Sequence, residues 1–283
     1  MSYPTPHVID VSGHQDPGID WDAAREAGVE AVIVKQTEGS THESPTWLAH
    51  AKEAKAAGLK VGGYHFAWPN RPVEKDAERE AGELVENFCQ LEAAGIELDL
   101  WPVLDLEKGK KRISSVELVR WADIFADVVC SLLGIEKIIV YANHSYVRTL
   151  NKGVRKLGQD PGLGHHLLWK AGDDPDIEQG IWTRPVLWQT PQRRVDWYDG
   201  KIDCNVLLGD LDTLLMPHAR PESSGALARL IELEHEDRLV LEEATVLRRS
   251  LAGTVRGLDR IIESQGRQSQ LTARLRDELK GAP

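Results

Sequence analysis

The chain has 283 residues, 41% hydrophobic and 28% charged, with a formal net charge of −11. That supplies core material for one large globular domain and an appendage, while no apolar run approaches the ~20 residues that span a bilayer. An acidic body repels phosphate and sets nucleic acid aside as a partner.

The first residues, Met1-Ser2-Tyr3-Pro4-Thr5-Pro6, carry neither the basic nor the apolar region of a secretory signal. Cys89, Cys130 and Cys204 are odd in number and lack C-x-x-C spacing, so neither a disulfide framework nor a zinc knuckle is expected. The segment beyond Pro217 is neutral and has no Phe, Tyr or Trp, so residues 1–217 hold the whole negative charge and every tryptophan. This joint change marks a domain boundary near Met216.

In chain order, His7–Ser12 reads as a first strand. Asp20 caps a helix over Trp21–Ala27 that Gly28 stops. Ala31–Lys35 is a second strand, and Pro45 opens a helix that runs to Ala57. Lys60–Phe66 is a third strand, followed by a charged helix over Val73–Ala94. Leu100–Glu107 is a fourth, an apolar run ending in two carboxylates. Ser114-Ser115-Val116-Glu117 has capping-box form and starts a helix through Leu133. Lys137–Tyr141 is a fifth strand, with a short helix near His144–Leu150. Leu167–Trp169, Val186–Gln189 and Ile202–Val206 read as three further strands joined only by loops.

Five strand–helix units and three closing strands predict an α/β fold, an irregular (β/α)5β3 TIM-like barrel whose last strands are free to run antiparallel. The expected domains are a barrel over 1–216, a linker over 217–225 and an all-α segment over 226–283. In that segment Leu230, Leu233, Asp237, Val240, Ala244, Leu247, Leu251, Thr254, Leu258, Ile261, Gln265 and Gln268 keep the 3-and-4 spacing of a coiled coil, with Asp237 and Gln265–Gln268 interrupting its apolar seam.

Working residues of such barrels sit at the C-terminal ends of strands. Those ends hold Asp10, Lys35, His65, Asp105 with Glu107, Tyr141, Trp169, Gln189, and Asp203 with Asn205. Asp105 and Glu107 stand at i and i+2 and project to one face, with Leu106 to the other. Barrel closure brings Asp203 towards Asp10. Four carboxylates at one mouth would raise one another's pKa and keep a proton available as a general acid. Taken singly, each has a plainer reading. Asp10 and Asp203 could bind loop N–H groups, and His65 could be a satisfied core histidine. Tyr64, Trp169 and Trp188 could be core aromatics, and Lys35 could only neutralise the acids. His14, His165 and His166 lack metal-ligand spacing, so no metal or cofactor is expected.

Several motifs are similar to those of glycoside hydrolase family 25, the Chalaropsis-type lysozymes (muramidases) found in many phage endolysins. They are Asp10-Val11-Ser12-Gly13-His14-Gln15, Val34-Lys35-Gln36-Thr37-Glu38-Gly39, Tyr64-His65-Phe66-Ala67, Pro102–Glu107, Trp188-Gln189 and Asp203-Cys204-Asn205. The resemblance runs over about residues 7–213 and departs at Asp16-Pro17, which lengthens a loop, and at Thr190, where the family carries an aromatic. It implies Glu107 as general acid, and Asp105 as the group that orients the substrate's acetamido group. Asp10 and Asp203 would complete an acidic floor. Tyr64, His65, Lys35, Tyr141, Trp169, Gln189 and Asn205 would contact the glycan. It further implies hydrolysis of the β-1,4 bond from N-acetylmuramic acid to N-acetylglucosamine in peptidoglycan during phage-induced lysis. The protein would wait in the host cytoplasm for a holin-type pore. The helical segment would assemble a homo-oligomer, or else target the wall. The competing expectation is a non-catalytic wall-binding or scaffold protein on a hydrolase-like barrel.

Overall fold

The computed structural model describes residues 6–15, 18–108, 112–176 and 180–217. Nine strands form one sheet: β1 (Val8–Val11), β2 (Ala31–Glu38), β3 (His42–Glu43), β4 (Lys60–Phe66), β5 (Val103–Asp105), β6 (Ile139–Asn143), β7 (Leu167–Ala171), β8 (Leu187–Val195) and β9 (Tyr198–Leu207). Pairing of β1 with both β2 and β9 closes eight of them into a barrel, and β3 adds a two-residue flap to β2. Strands β1 to β8 run parallel around the barrel, apart from that flap.

Of the eight barrel strands described, only β9 is antiparallel to its neighbours, β8 and β1. The expectation that several closing strands would be free to reverse is thereby narrowed to one. The expected loop between the last two strands is also corrected. β8 and β9 continue past the barrel as a hairpin that turns at Asp196-Trp197.

Five helices follow the first five barrel strands: α1 (Trp21–Glu26), α2 (Trp47–Ala56), α3 (Val73–Ala93), α4 (Ser115–Leu133) and α5 (His144–Leu157). Their starts obey local chemistry. Asp20 accepts the Ala23 N–H, and Ser114 with Glu117 forms the reciprocal capping box. α4 ends at Gly134, whose φ of 65° is left-handed. Strands such as Ala31–Val34 are apolar at every position because helices cover one face and the barrel core the other.

α5 runs about two turns beyond the expected stop near Leu150. Gly153 lies within that extension. A Cβ there would lie 2.2 Å from the Ser115 carbonyl oxygen, so this glycine permits the α4–α5 crossing rather than ending the helix. Trp121 and Phe125 of α4 stack at 5.4 Å beneath the sheet, and the Trp121 indole N–H donates to Asp76 of α3 at 2.9 Å. Full burial of such rings contributes roughly 2–3 kcal/mol each.

Among the described residues no helix is long and apolar enough to cross a membrane. The linker (217–225) and the helical segment (226–283) lie, apart from Pro217, outside the described residues.

Candidate active site

The C-terminal mouth of the barrel opens into a cleft of about 750 Å³ lined by Asp10, Asp105, Glu107 and Asp203. Parallel strands deliver the first three. Asp10 lies on β1, and Asp105 is the last residue of β5, in register with Phe66 and Tyr141. The ladder continues one step beyond β5, where the Leu106 N–H donates to the Tyr141 carbonyl at 2.9 Å. Leu106 is fully buried. Glu107 is thereby turned back into the cleft beside Asp105.

Asp203 arrives differently. It sits within β9, directly opposite Asp10 in the antiparallel register. The reversal of that one strand carries its first half to the mouth.

Asp10 is held by a closed ring of contacts. Gln189 Nε2 donates to both its oxygens at 3.2 and 3.0 Å, and Asn205 Nδ2 donates to Oδ2 at 2.8 Å. The Tyr141 hydroxyl donates to Gln189 Oε1 at 2.8 Å, and the Trp169 indole N–H donates to Asn205 Oδ1 at 2.9 Å. Tyr141 and Trp169 meet edge to face with centroids 4.7 Å apart, which closes the ring. Asn205, fully buried, acts on Asp10 and not on solvent in the cleft. The expectation of a direct glycan contact at Asn205 is corrected accordingly.

Burial dominates the electrostatics of this floor. It pushes Asp10 up to about 7, helped by the Asp203 and Glu107 charges and opposed by the two amides. Burial also raises Asp105 well above the usual carboxylate range, with Glu107 and Asp10 adding to the effect while Lys35 and Lys108 oppose it. Asp203 is raised by burial, against a 2.9 Å hydrogen bond from Gln192. Tyr64 and Tyr141 are raised by burial and then by Asp105, so both phenols stay protonated donors. Asp105 Oδ1 is buried and has no hydrogen-bond partner among the described residues. An orphan acceptor in a cleft is the arrangement of a group that waits for a ligand donor.

Lys35, Tyr64, Tyr141, Trp169 and Gln189 line the cleft as expected, Lys35 paired to Glu38. His65 does not. It is fully buried between β4 and the helices, with Nδ1 at 2.8 Å from Thr37 Oγ1 and Nε2 at 2.8 Å from Glu80 Oε2. Tyr64 and His65 are neighbours on one strand and must point to opposite faces, so the pair could not share the cleft. His65 is a satisfied core histidine.

The cleft has further walls that the strand ends did not announce. Gln192, Tyr198 and Lys201 come from the β8–β9 hairpin, Phe66 from the last position of β4, and Trp68 and Lys108 from the loops after β4 and β5.

A model of glycosyl hydrolases family 25 matches residues 9–189. The chain belongs to glycosyl hydrolases family 25. It is 27% identical over 211 residues to an N,O-diacetylmuramidase of Arthroderma benhamiae, covering 73% of this chain and 83% of that protein. Among solved structures it is similar to a muramidase from Trichobolus zukalii, with TM-score 0.57, 27% identity, and 72% and 94% of the two chains covered. The catalytic domain of endolysin ply40 from bacteriophage P40 of Listeria monocytogenes shares the fold, with TM-score 0.58, 24% identity, and 81% and 99% covered. This family 25 member is a glycoside hydrolase, and its four carboxylates share the cleft at the barrel mouth.

Proposed function

We propose that this family 25 hydrolase is an N-acetylmuramidase that cuts the β-1,4 bond between N-acetylmuramic acid and N-acetylglucosamine in peptidoglycan. The observation that carries the reading is the convergence of Asp10, Asp105, Glu107 and Asp203 on one open cleft, with Asp105 and Glu107 two residues apart. Asp10 and Asp105 are buried among these acids and both are raised, so a proton is retained on the floor near neutral pH.

In this mechanism Glu107, the half-exposed member of its pair, protonates the leaving glycosidic oxygen as the anomeric C–O bond breaks. The acetamido oxygen of the same sugar attacks the anomeric carbon and forms a cyclic oxazolinium, one of the exceptions to the two-carboxylate rule. Asp105 accepts the acetamido N–H. A carboxylate with a raised pKa is a stronger acceptor as positive charge builds there. Water then opens the ring, with Glu107 taking its proton. Tyr64 supplies a hydroxyl donor within the cleft.

Glu107→Gln tests the reading on purified bacterial walls. Clearing of turbidity should fall at least a thousandfold with the melting temperature preserved; persistent clearing removes Glu107 from the role of acid. Walls bound but never cut by the parent protein would favour the non-catalytic scaffold instead. Early products with inverted anomeric configuration in proton NMR would eliminate acetamido participation.

The setting proposed is phage-induced lysis, with release from the host cytoplasm through a holin-type pore and a homo-oligomer assembled by residues 226–283. Fold likeness to an endolysin catalytic domain and the heptad spacing support it. Light scattering that returns a monomeric mass for the full chain would remove the oligomer.

A further inference from the structure

One wall of the cleft carries cations on an aromatic platform. Phe66 and Trp68 stand with ring centroids 6.2 Å apart. Lys35 Nζ is 4.5 Å and Lys108 Nζ 6.0 Å from the Phe66 centroid, and the Arg112 guanidinium carbon is 5.1 Å from that of Trp68. The platform is anchored from behind. Glu80, bound to His65, accepts the Trp68 backbone N–H at 2.9 Å, and Glu38 accepts its indole N–H at 2.8 Å.

Lys35 is neutralised by Glu38. Lys108 and Arg112 differ from it: both are exposed, and neither makes an ion pair or hydrogen bond within the described residues. Within the described residues of a chain of net charge −11, two cations thus stand on this platform without a direct counter-ion, one of them lining the cleft beside Glu107. Seating on ring faces fixes their position without consuming their charge.

We propose that Lys108 and Arg112 form a carboxylate subsite that reads the anionic substituent of muramic acid. This rests on the peptidoglycan reading above. Muramic acid differs from N-acetylglucosamine by a lactyl ether, which ends in a carboxylate or continues into a stem peptide that bears carboxylates. The acidic floor repels either anion, and an unpaired guanidinium and ammonium at the lip offset that repulsion. Arg supplies a planar fork for a carboxylate and Lys a mobile point charge.

The test uses full-length protein and solubilised glycan strands of matched length in three forms. One is stripped to the free lactyl carboxylate, one bears stem peptides with free carboxylates, and one has its carboxylates converted to neutral methyl amides. The parent protein should show kcat/KM about tenfold higher on a carboxylate strand than on the neutral one, through KM, with the preference shrinking at high salt. Preference for the stripped strand assigns the lactyl carboxylate, and preference for the second strand assigns the stem. The double variant Lys108→Met/Arg112→Gln should reduce the preference below twofold. Equal cutting of all three strands by the parent, or a preference retained in the double variant, overturns the subsite and leaves the muramidase reading intact. So does collapse of the preference in Lys201→Met alone, which would move recognition to the opposite wall. Failure to cut any strand overturns both.

Discussion

The two ends of the barrel treat buried charge in opposite ways. At the base, Asp99 is only 3% exposed, yet its oxygens take Lys55 at 2.7 Å, Lys60 at 3.2 Å and the Val61 N–H at 2.8 Å. Its carboxyl is held below the usual range by those partners, which outweigh the opposing effect of burial. At the mouth, Asp10 and Asp105 are 8% exposed, and among the described residues neither has a direct ion pair. Both are pushed up. Surface exposure is low at both ends, but the mouth carboxylates lie deeper and only the base supplies lysines in contact, so partners win at the base and burial wins at the mouth. Functional sites commonly hold such destabilising groups, and the rest of the fold compensates.

The largest test of this contrast is Asp10→Asn. Hydrolysis should fall by at least about a hundredfold, the usual scale for loss of a group at a preorganised site. The fold should gain stability at neutral pH. Asp10 rises from 3.8 to about 7 on folding, so its favourable contribution is present below pH 4 and is lost as pH rises through about 7. That difference amounts to roughly 4 kcal/mol at full effect. Urea unfolding at pH 7.5 measures it. A variant less stable than the parent would show that Gln189 and Asn205 already satisfy the ionised form.

His166 offers the reverse dependence at the base. Burial and then His165 hold it down to about 4, and its Nδ1 accepts the Ile138 N–H at 3.4 Å, which requires the neutral ring. Its contribution is present above pH 6.5 and is lost as pH falls through about 4, roughly 3 kcal/mol in all. Asp10 and His166 therefore pull in opposite directions across pH 4–7. Melting temperature in Asp10→Asn should rise with pH over that window, whereas in His166→Gln it should fall. Parallel slopes in the two variants would refute the opposition.

Asp99→Ala comes next in size. Lys55 and Lys60 are partly exposed and can be rehydrated, so the loss should be about 1–3 kcal/mol, below the usual figure for a fully buried pair. Activity per folded molecule should be unchanged, which contrasts with Asp10→Asn.

Much of the barrel was legible because its signals are local. Helix caps at Asp20 and Ser114 and the i, i+2 placement of Asp105 and Glu107 follow from chain-neighbour geometry alone. What was lost depends on tertiary contact. The continuation of α5 past Leu150 goes with the packing of Gly153 against the α4 backbone. Asp203 was placed beside Asp10 as though at a strand's C-terminal end, whereas the antiparallel course of β9 brings it there. His65 was assigned to the cleft by its motif, although the two-residue period of β4 already turned it outward. Gln189 and Asn205 carried the right motif but serve the floor by fixing Asp10.

The smallest predicted effect separates the two members of the Asp10–Asp203 pair. Their protons leave in macroscopic steps that belong to the pair, and the last step should set the alkaline limb of kcat/KM. Asp203→Asn removes a charge that raises Asp10, so the limb should move to lower pH. Gln192→Ala removes the hydrogen bond that holds Asp203 down, so the pair should keep its last proton longer and the limb should move to higher pH. Each shift should stay below about one unit, because burial remains the dominant cause for both groups. The readout is the position of the limb and not its height, since Gln192 also lines the cleft and its loss can alter KM. Shifts in the same direction would mean that the two carboxyls titrate independently, and that the proton retained at the mouth resides on Asp105 instead.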